Sequence, residues 1–79
     1  MLHAREDYNT FLGQDPSGRI PPDEPVFLLR AQDSVAADTV RHWAYLNERA
    51  NGDPALTQAA REHAIRMDDW PTKKMADKP

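Results

Sequence analysis

The chain has no cysteine, which removes disulfide staples and thiolate zinc sites together. Its glycines stand alone at 13, 18 and 52, so no glycine-rich loop is present to cradle a phosphate. No apolar run approaches the ~20 residues that span a bilayer. The opening Met1-Leu2-His3-Ala4-Arg5-Glu6-Asp7 has no signal-peptide core. Charge of one sign is also scarce, because 29% charged residues cancel to a net −3. That balance neither mimics DNA nor suits a basic nucleic-acid binder. The expectation is a protein of the cytosol that made it, whose partners are neither membrane nor nucleic-acid polymer.

What is present must hold together in 79 residues. A single core of that size supplies roughly 3–5 kcal/mol, and natural domains so small add a staple. With disulfides and thiolate metal sites gone, helix packing or a partner chain is left. Several large apolar residues lack an evident destination inside the chain, which favours a homo-oligomer.

The stretch from Glu24 to Ala50 organises the rest. Pro25-Val26-Phe27-Leu28-Leu29 is an apolar run, and its β-branched and aromatic content after a proline argues for an extended strand over residues 26–31. Both of its faces are apolar, as in a strand covered on two sides. Its backbone then needs a neighbour, either the same strand of a second subunit or the N-terminal arm. An apolar first turn of helix is the rival reading.

Residues 1–25 form an irregular arm. Asp15-Pro16-Ser17-Gly18 reads as a β-turn, Pro21, Pro22 and Pro25 forbid a helix, and residues 4–11 suit a helical turn or two. Tyr8, Phe11, Leu12 and Ile20 would anchor the arm if it wraps a partner.

Beyond the strand the spacing predicts two helices. Asp33 or Ser34 caps a helix over residues 35–50 whose apolar stripe is Ala36, Val40, Trp43, Ala44, Asn47 and Ala50, with Leu46 at its edge. Asn51-Gly52 stops it, with glycine in the left-handed position. Asp53-Pro54 opens the second helix as N-cap and first residue. Its stripe is Leu56, Ala59, Ala60, His63, Met67 and Trp70, and Pro71 ends it. The alanines allow close approach while Trp43 and Trp70 fill the two ends of the gap. The fold class is therefore mainly α with a small α+β character: an antiparallel αα-hairpin, preceded by one short extended strand and an irregular arm. Residues 26–70 hold strand and hairpin, and 71–79 form a flexible tail.

No set of residues points to catalysis. His63, alone in an apolar stripe, reads as a core histidine bonded to a carbonyl or to Asn47, since no ligand-type neighbour makes it a metal site. His42 follows Asp38 by one turn and stabilises the helix. Asp68 and Asp69 are neighbours on a helix and point apart, which an acid–base pair cannot use. The expectation is no enzyme, no cofactor and no metal. Binding residues are better represented. Arg41, Tyr45 and Glu48 share a surface of the first helix, and Arg5, Tyr8, Arg19 and Arg30 repeat the same types in the arm and strand. Brought together, arginines and a tyrosine suit a phosphate and a base, as bidentate donors and as a stacking face. The plainer alternative is that each arginine pairs with a nearby acid.

Asp23-Glu24-Pro25-Val26-Phe27-Leu28-Leu29-Arg30-Ala31-Gln32-Asp33, then Thr39-Val40-Arg41, Trp43-Ala44, Met67 and Trp70-Pro71, resemble a type of short uncharacterised protein encoded by phages of proteobacteria. The resemblance covers most of the chain and carries no site residues with it. It implies a protein that acts by binding. The function expected is sequestration of a small nucleotide signal of host defence, at subunit junctions of a homo-oligomer. Its alternatives are a protein–protein inhibitor of a host or defence enzyme, and a structural phage accessory protein.

Overall fold

The computed structural model describes residues 1–75. In chain order it contains β1 (Leu2–His3), α1 (Glu6–Phe11), β2 (Pro25–Val26), α2 (Ala36–Arg49) and α3 (Pro54–Asp68). The described chain falls into two compact units, residues 1–28 and 29–75.

In the first unit β1 and β2 pair in parallel, Leu2 against Pro25 and His3 against Val26. The extended segment is thus shorter than expected and starts at Pro25; residues 27–30 are neither strand nor helix. Of the two neighbours proposed for it, the N-terminal arm is the one found. The arm is tied down by Asn9, whose side-chain amide accepts from the His3 N–H (2.8 Å) and donates to the His3 carbonyl (3.2 Å). That two-point bond fixes α1 on β1, and Tyr8, 5% exposed, sits edge-on to both His3 and Phe11.

The β-turn at Asp15 forms as expected. The Gly18 N–H donates to the Asp15 carbonyl at 3.1 Å, with Gly18 at φ +72°. The Asp15 carboxylate accepts from the Ser17 hydroxyl and from the N–H groups of Ser17, Arg19 and Ile20. These bonds, that from the Ser17 hydroxyl foremost, hold the carboxyl below the usual range.

The second unit is the αα-hairpin. Asp33 acts one step earlier than a helix cap: its carboxylate accepts from the Val35 N–H (3.1 Å) and its carbonyl from Ala36 (3.0 Å). Val35 is the N-cap and makes no side-chain cap bond. At the other end of α2 the left-handed residue is Asn51 (φ 58°), not glycine. The Asn51 N–H reaches the Glu48 carbonyl and the Gly52 N–H reaches Asn47, which together satisfy the last carbonyls of the helix. Gly52 is needed for another reason. A Cβ there would lie 2.2 Å from Oδ1 of Asn47, whose amide donates to the Thr57 hydroxyl at 2.9 Å. Asp53 caps α3 by accepting from the Ala55 N–H (2.9 Å), with Pro54 in the first turn.

Small residues line the helix contact. Ala36, Ala37, Ala64 and Met67 form the buried cluster, with Leu29, Ala31 and Val40 packed on it. Ala44 is also fully enclosed. Part of each apolar stripe expected from the sequence enters this contact, Ala36, Val40 and Ala44 from α2 and Met67 from α3, while the larger members do not. Trp43 is 45%, Leu46 51%, Leu56 53% and Trp70 53% exposed, and His63 is exposed as well. Neither tryptophan fills the gap between the helices. Alanine rows let the two backbones approach more closely than indoles would allow, and the large side chains are turned outward as a result.

The stretch after Pro71 was expected to fray. Its first part is held instead: Lys74 donates to the Gln32 carbonyl and accepts from the Ser34 N–H, both at 2.8 Å, in an isolated parallel bridge with Asp33. The Lys73 ammonium bonds the carbonyls of Ala31 and Met67. The remainder of that tail, residues 76–79, lies outside the described residues.

Candidate ligand cleft and contact flank

The ion pairs of the hairpin lie along one flank. Arg41 bridges the helices, with Nη1 2.8 Å from Asp68 and Nη2 2.6 Å from Asp38. Arg61 reaches back from α3 to Glu48. The Arg41 guanidinium holds the Asp68 carboxyl below the usual carboxylate range by its hydrogen bonds. The same bonds, the one donated to Asp68 first, raise Arg41 further into its charged form.

A step of 100° per residue places Trp43 and Leu46 of α2, with Leu56, Ala59 and His63 of α3, on the opposite flank. The hairpin is thus two-sided: one flank holds cross-helix ion pairs, and the other presents the half-exposed Trp43, Leu46 and Leu56, with the exposed Arg66 at its outer edge beside Ala59.

The six residues expected to bind a ligand have different surroundings. In the first unit, Arg5 chelates Asp7 through two bonds (3.1 and 2.9 Å) and lies 4.7 Å above the Tyr8 ring. Tyr8 is enclosed by these neighbours. The Arg5 pair lowers the Asp7 carboxyl, its hydrogen bond first. Arg19 enters the Asp15 turn through its backbone N–H and leaves its side chain exposed.

In the second unit Arg41 is taken up by Asp68 and Asp38. Tyr45 is half-exposed and stacked with His42 (6.1 Å), while its hydroxyl accepts from Arg49 at 3.0 Å. Asp38 gives its bond to Arg41 rather than to His42. The expected Arg41–Tyr45–Glu48 cluster is therefore divided, with both charged members turned to α3.

Arg30 is placed differently. An open cleft of about 240 Å³ is lined by Arg30, Ala31, Gln32 and Trp70. It joins a guanidinium, an amide and a half-exposed indole, with no acid in its wall. Lys73 adds positive charge behind it, 2.9 Å from the Ala31 carbonyl. Trp70 was not among the expected binding residues, because at the end of an apolar stripe it reads as core. Its position next to Pro71, beyond the last turn of α3, is the sequence signal for an exposed ring.

His3, uninformative in the sequence, is buried with neither ring nitrogen bonded. Among the described residues no group of three or more histidines and acids could hold a metal, and no helix is long and apolar enough to cross a membrane. Comparison with known protein families, curated proteins and solved structures finds no match.

Proposed function

We propose that the chain is a non-enzymatic binding protein of the phage type that captures a small anionic nucleotide, a host-defence signal, through Arg30 and Trp70. The supporting observation is the cleft itself. A guanidinium gives a phosphate two parallel donors, an exposed indole gives a base a stacking face, and the Gln32 amide can both donate and accept at a base edge. At about 240 Å³ the cleft is below the ~300–1,000 Å³ of a complete small-molecule pocket. It suits a half-site that a second subunit completes.

Calorimetry with a panel of cyclic and linear nucleotides tests this reading. Binding at micromolar concentration, weakened about tenfold or more by Arg30→Ala, a loss of about 1.4 kcal/mol, is the expected result. No heat with any nucleotide, or binding indifferent to Arg30→Ala, refutes it.

A second reading, inhibition of a host or defence enzyme by direct contact, draws on the uncovered flank of Trp43, Leu46 and Leu56. It expects a pulldown from bacterial lysate to recover one dominant partner that Leu46→Glu loses.

A further inference from the structure

We infer that Lys73 is the positioning residue of the Arg30–Trp70 cleft: its ammonium joins the two walls and sets the separation between the guanidinium and the indole. The inference deepens the nucleotide reading and rests on it for the ligand alone, because the junction is made entirely within the hairpin unit.

Each wall is a turn. On the entering chain the Asp33 N–H donates to the Arg30 carbonyl at 2.9 Å, which closes Arg30-Ala31-Gln32-Asp33 with Ala31 and Gln32 at its centre. On the exit chain Trp70 follows α3, and its N–H donates to the Met67 carbonyl at 3.2 Å. An uninterrupted helix would give that carbonyl to the N–H of residue 71. Residue 71 is proline and has none. The Met67 carbonyl is thereby open to another donor.

Lys73 supplies it. Its ammonium bonds the Met67 carbonyl and, at 2.9 Å, the Ala31 carbonyl. Three hydrogen bonds therefore connect the walls: Trp70 N–H to Met67, Met67 to the ammonium, and the ammonium to Ala31. Ala31 lies between Arg30 and Gln32 and lines the cleft with them.

A lysine suits this place on two counts. A cation at the last carbonyls of a helix is favoured by the helix dipole, and an ammonium has three protons to divide among acceptors. The acid that could compete is occupied: Asp68 lies in the field of Lys73 but is bonded to Arg41. The backbone of the next residue brings Lys73 alongside the first wall, since Lys74 donates to the Gln32 carbonyl and accepts from the Ser34 N–H. For a nucleotide the junction has a direct use. Its phosphate and base belong to one molecule, so their two partners must stand at a fixed separation, and ordering them only on binding would cost affinity.

The test is amide hydrogen exchange of the purified full chain, followed residue by residue by NMR in the wild type, Lys73→Met and Lys73→Arg. Methionine keeps much of the apolar stem and loses the donors, whereas arginine keeps both charge and donors. In Lys73→Met the bonded amides of Asp33 and Trp70 should exchange about tenfold faster, the factor that a lost charge-assisted bond implies. Those of Ala50 and Asn51, at the tip of the hairpin, should keep their rates, and Lys73→Arg should stay with the wild type. A second readout needs no variant: in the wild type the Lys73 ammonium protons should exchange with water about tenfold more slowly than those of free lysine.

Unchanged Asp33 and Trp70 amides in Lys73→Met overturn the inference. So does an equal acceleration of every slow amide, which is general instability, and so does a Lys73 ammonium that exchanges like free lysine. In calorimetry, each nucleotide of the panel that binds the wild type should bind Lys73→Met about tenfold more weakly and Lys73→Arg as before; full affinity in Lys73→Met overturns the inference. Local acceleration at Asp33 and Trp70, in a chain whose wild type binds no nucleotide, leaves the inference standing and sinks the functional reading alone.

Discussion

Gly52→Ala isolates one contact whose energy can be worked out. The added Cβ would lie 2.2, 2.5 and 2.6 Å from Oδ1, Cγ and Nδ2 of Asn47, nearer than any real Cβ contact, so the Asn47 side chain must leave its place. Its bond to the Thr57 hydroxyl (2.9 Å) goes with it, and Thr57 is only 3% exposed. A buried hydroxyl stripped of its partner costs about 1–3 kcal/mol. Against this, alanine lowers the entropy of the unfolded chain and returns about 0.4–1 kcal/mol. The net is a destabilisation of about 1–2 kcal/mol, which in a domain of this size lowers Tm by roughly 5–15 °C.

Circular dichroism melts of the wild type, Gly52→Ala, Asn47→Ala and the double variant form a cycle. With the Asn47 amide removed, the three atoms nearest the added Cβ are gone, so Gly52→Ala should become neutral or stabilising in that background. Equal losses in both backgrounds would refute the reasoning, because the cost would then lie in the backbone and not in the Asn47–Thr57 bond.

Two further outcomes follow from the hairpin. Asp53→Ala removes the side-chain N-cap of α3 and should cost ~1 kcal/mol, measured by urea denaturation; an unchanged midpoint counts against the cap. Asp68 supplies a pH dependence. Its folded pKa is depressed by Arg41, so its contribution is fully present above the unfolded value of about 3.9 and is lost as pH falls through the lower folded value. Melts across this range should show wild type and Asp68→Asn converging in acid and separating towards neutrality. A difference that stays constant with pH would mean the pair contributes nothing through its charge.

The hairpin was legible because its punctuation is chemical and local: Asp53-Pro54 opens α3, Asn51-Gly52 closes α2, and Pro71 follows the end. Which members of each stripe face inward is legible only in part. The stripes contain the contact residues Ala36, Ala44 and Met67 but also Trp43, Leu56 and Trp70, which are half-exposed, and they leave out the buried Ala64, because hydrophobicity scales rank alanine too low to separate the two groups. Close approach rewards small size, which periodicity does not weigh. The arm is legible as one of two possible partners of the extended run, but the pairing residues within it are not, because Leu2–His3 is two residues long, too short to carry an alternation. The left-handed position was assigned to Gly52 on propensity alone, yet asparagine tolerates that conformation and glycine was required for clearance next door.

In the binding set, residue type located arginines and tyrosines without their neighbours. Tyr8 has Phe11 three residues on and becomes a core ring. Arg41 has Asp38 one turn back and Asp68 across the hairpin, and becomes a brace. Arg30 lines a cleft with no acid in its wall, since the Asp33 carboxylate that follows it is taken up by the Val35 N–H.

The bridge between Asp33 and Lys74 lays the incoming and outgoing chain of the hairpin side by side. With entry and exit adjacent, the helical pair has the geometry of a cassette: it can be spliced into an exposed loop of another protein without stretching its host, and its own tip at Asn51 becomes a natural place to cut and rejoin.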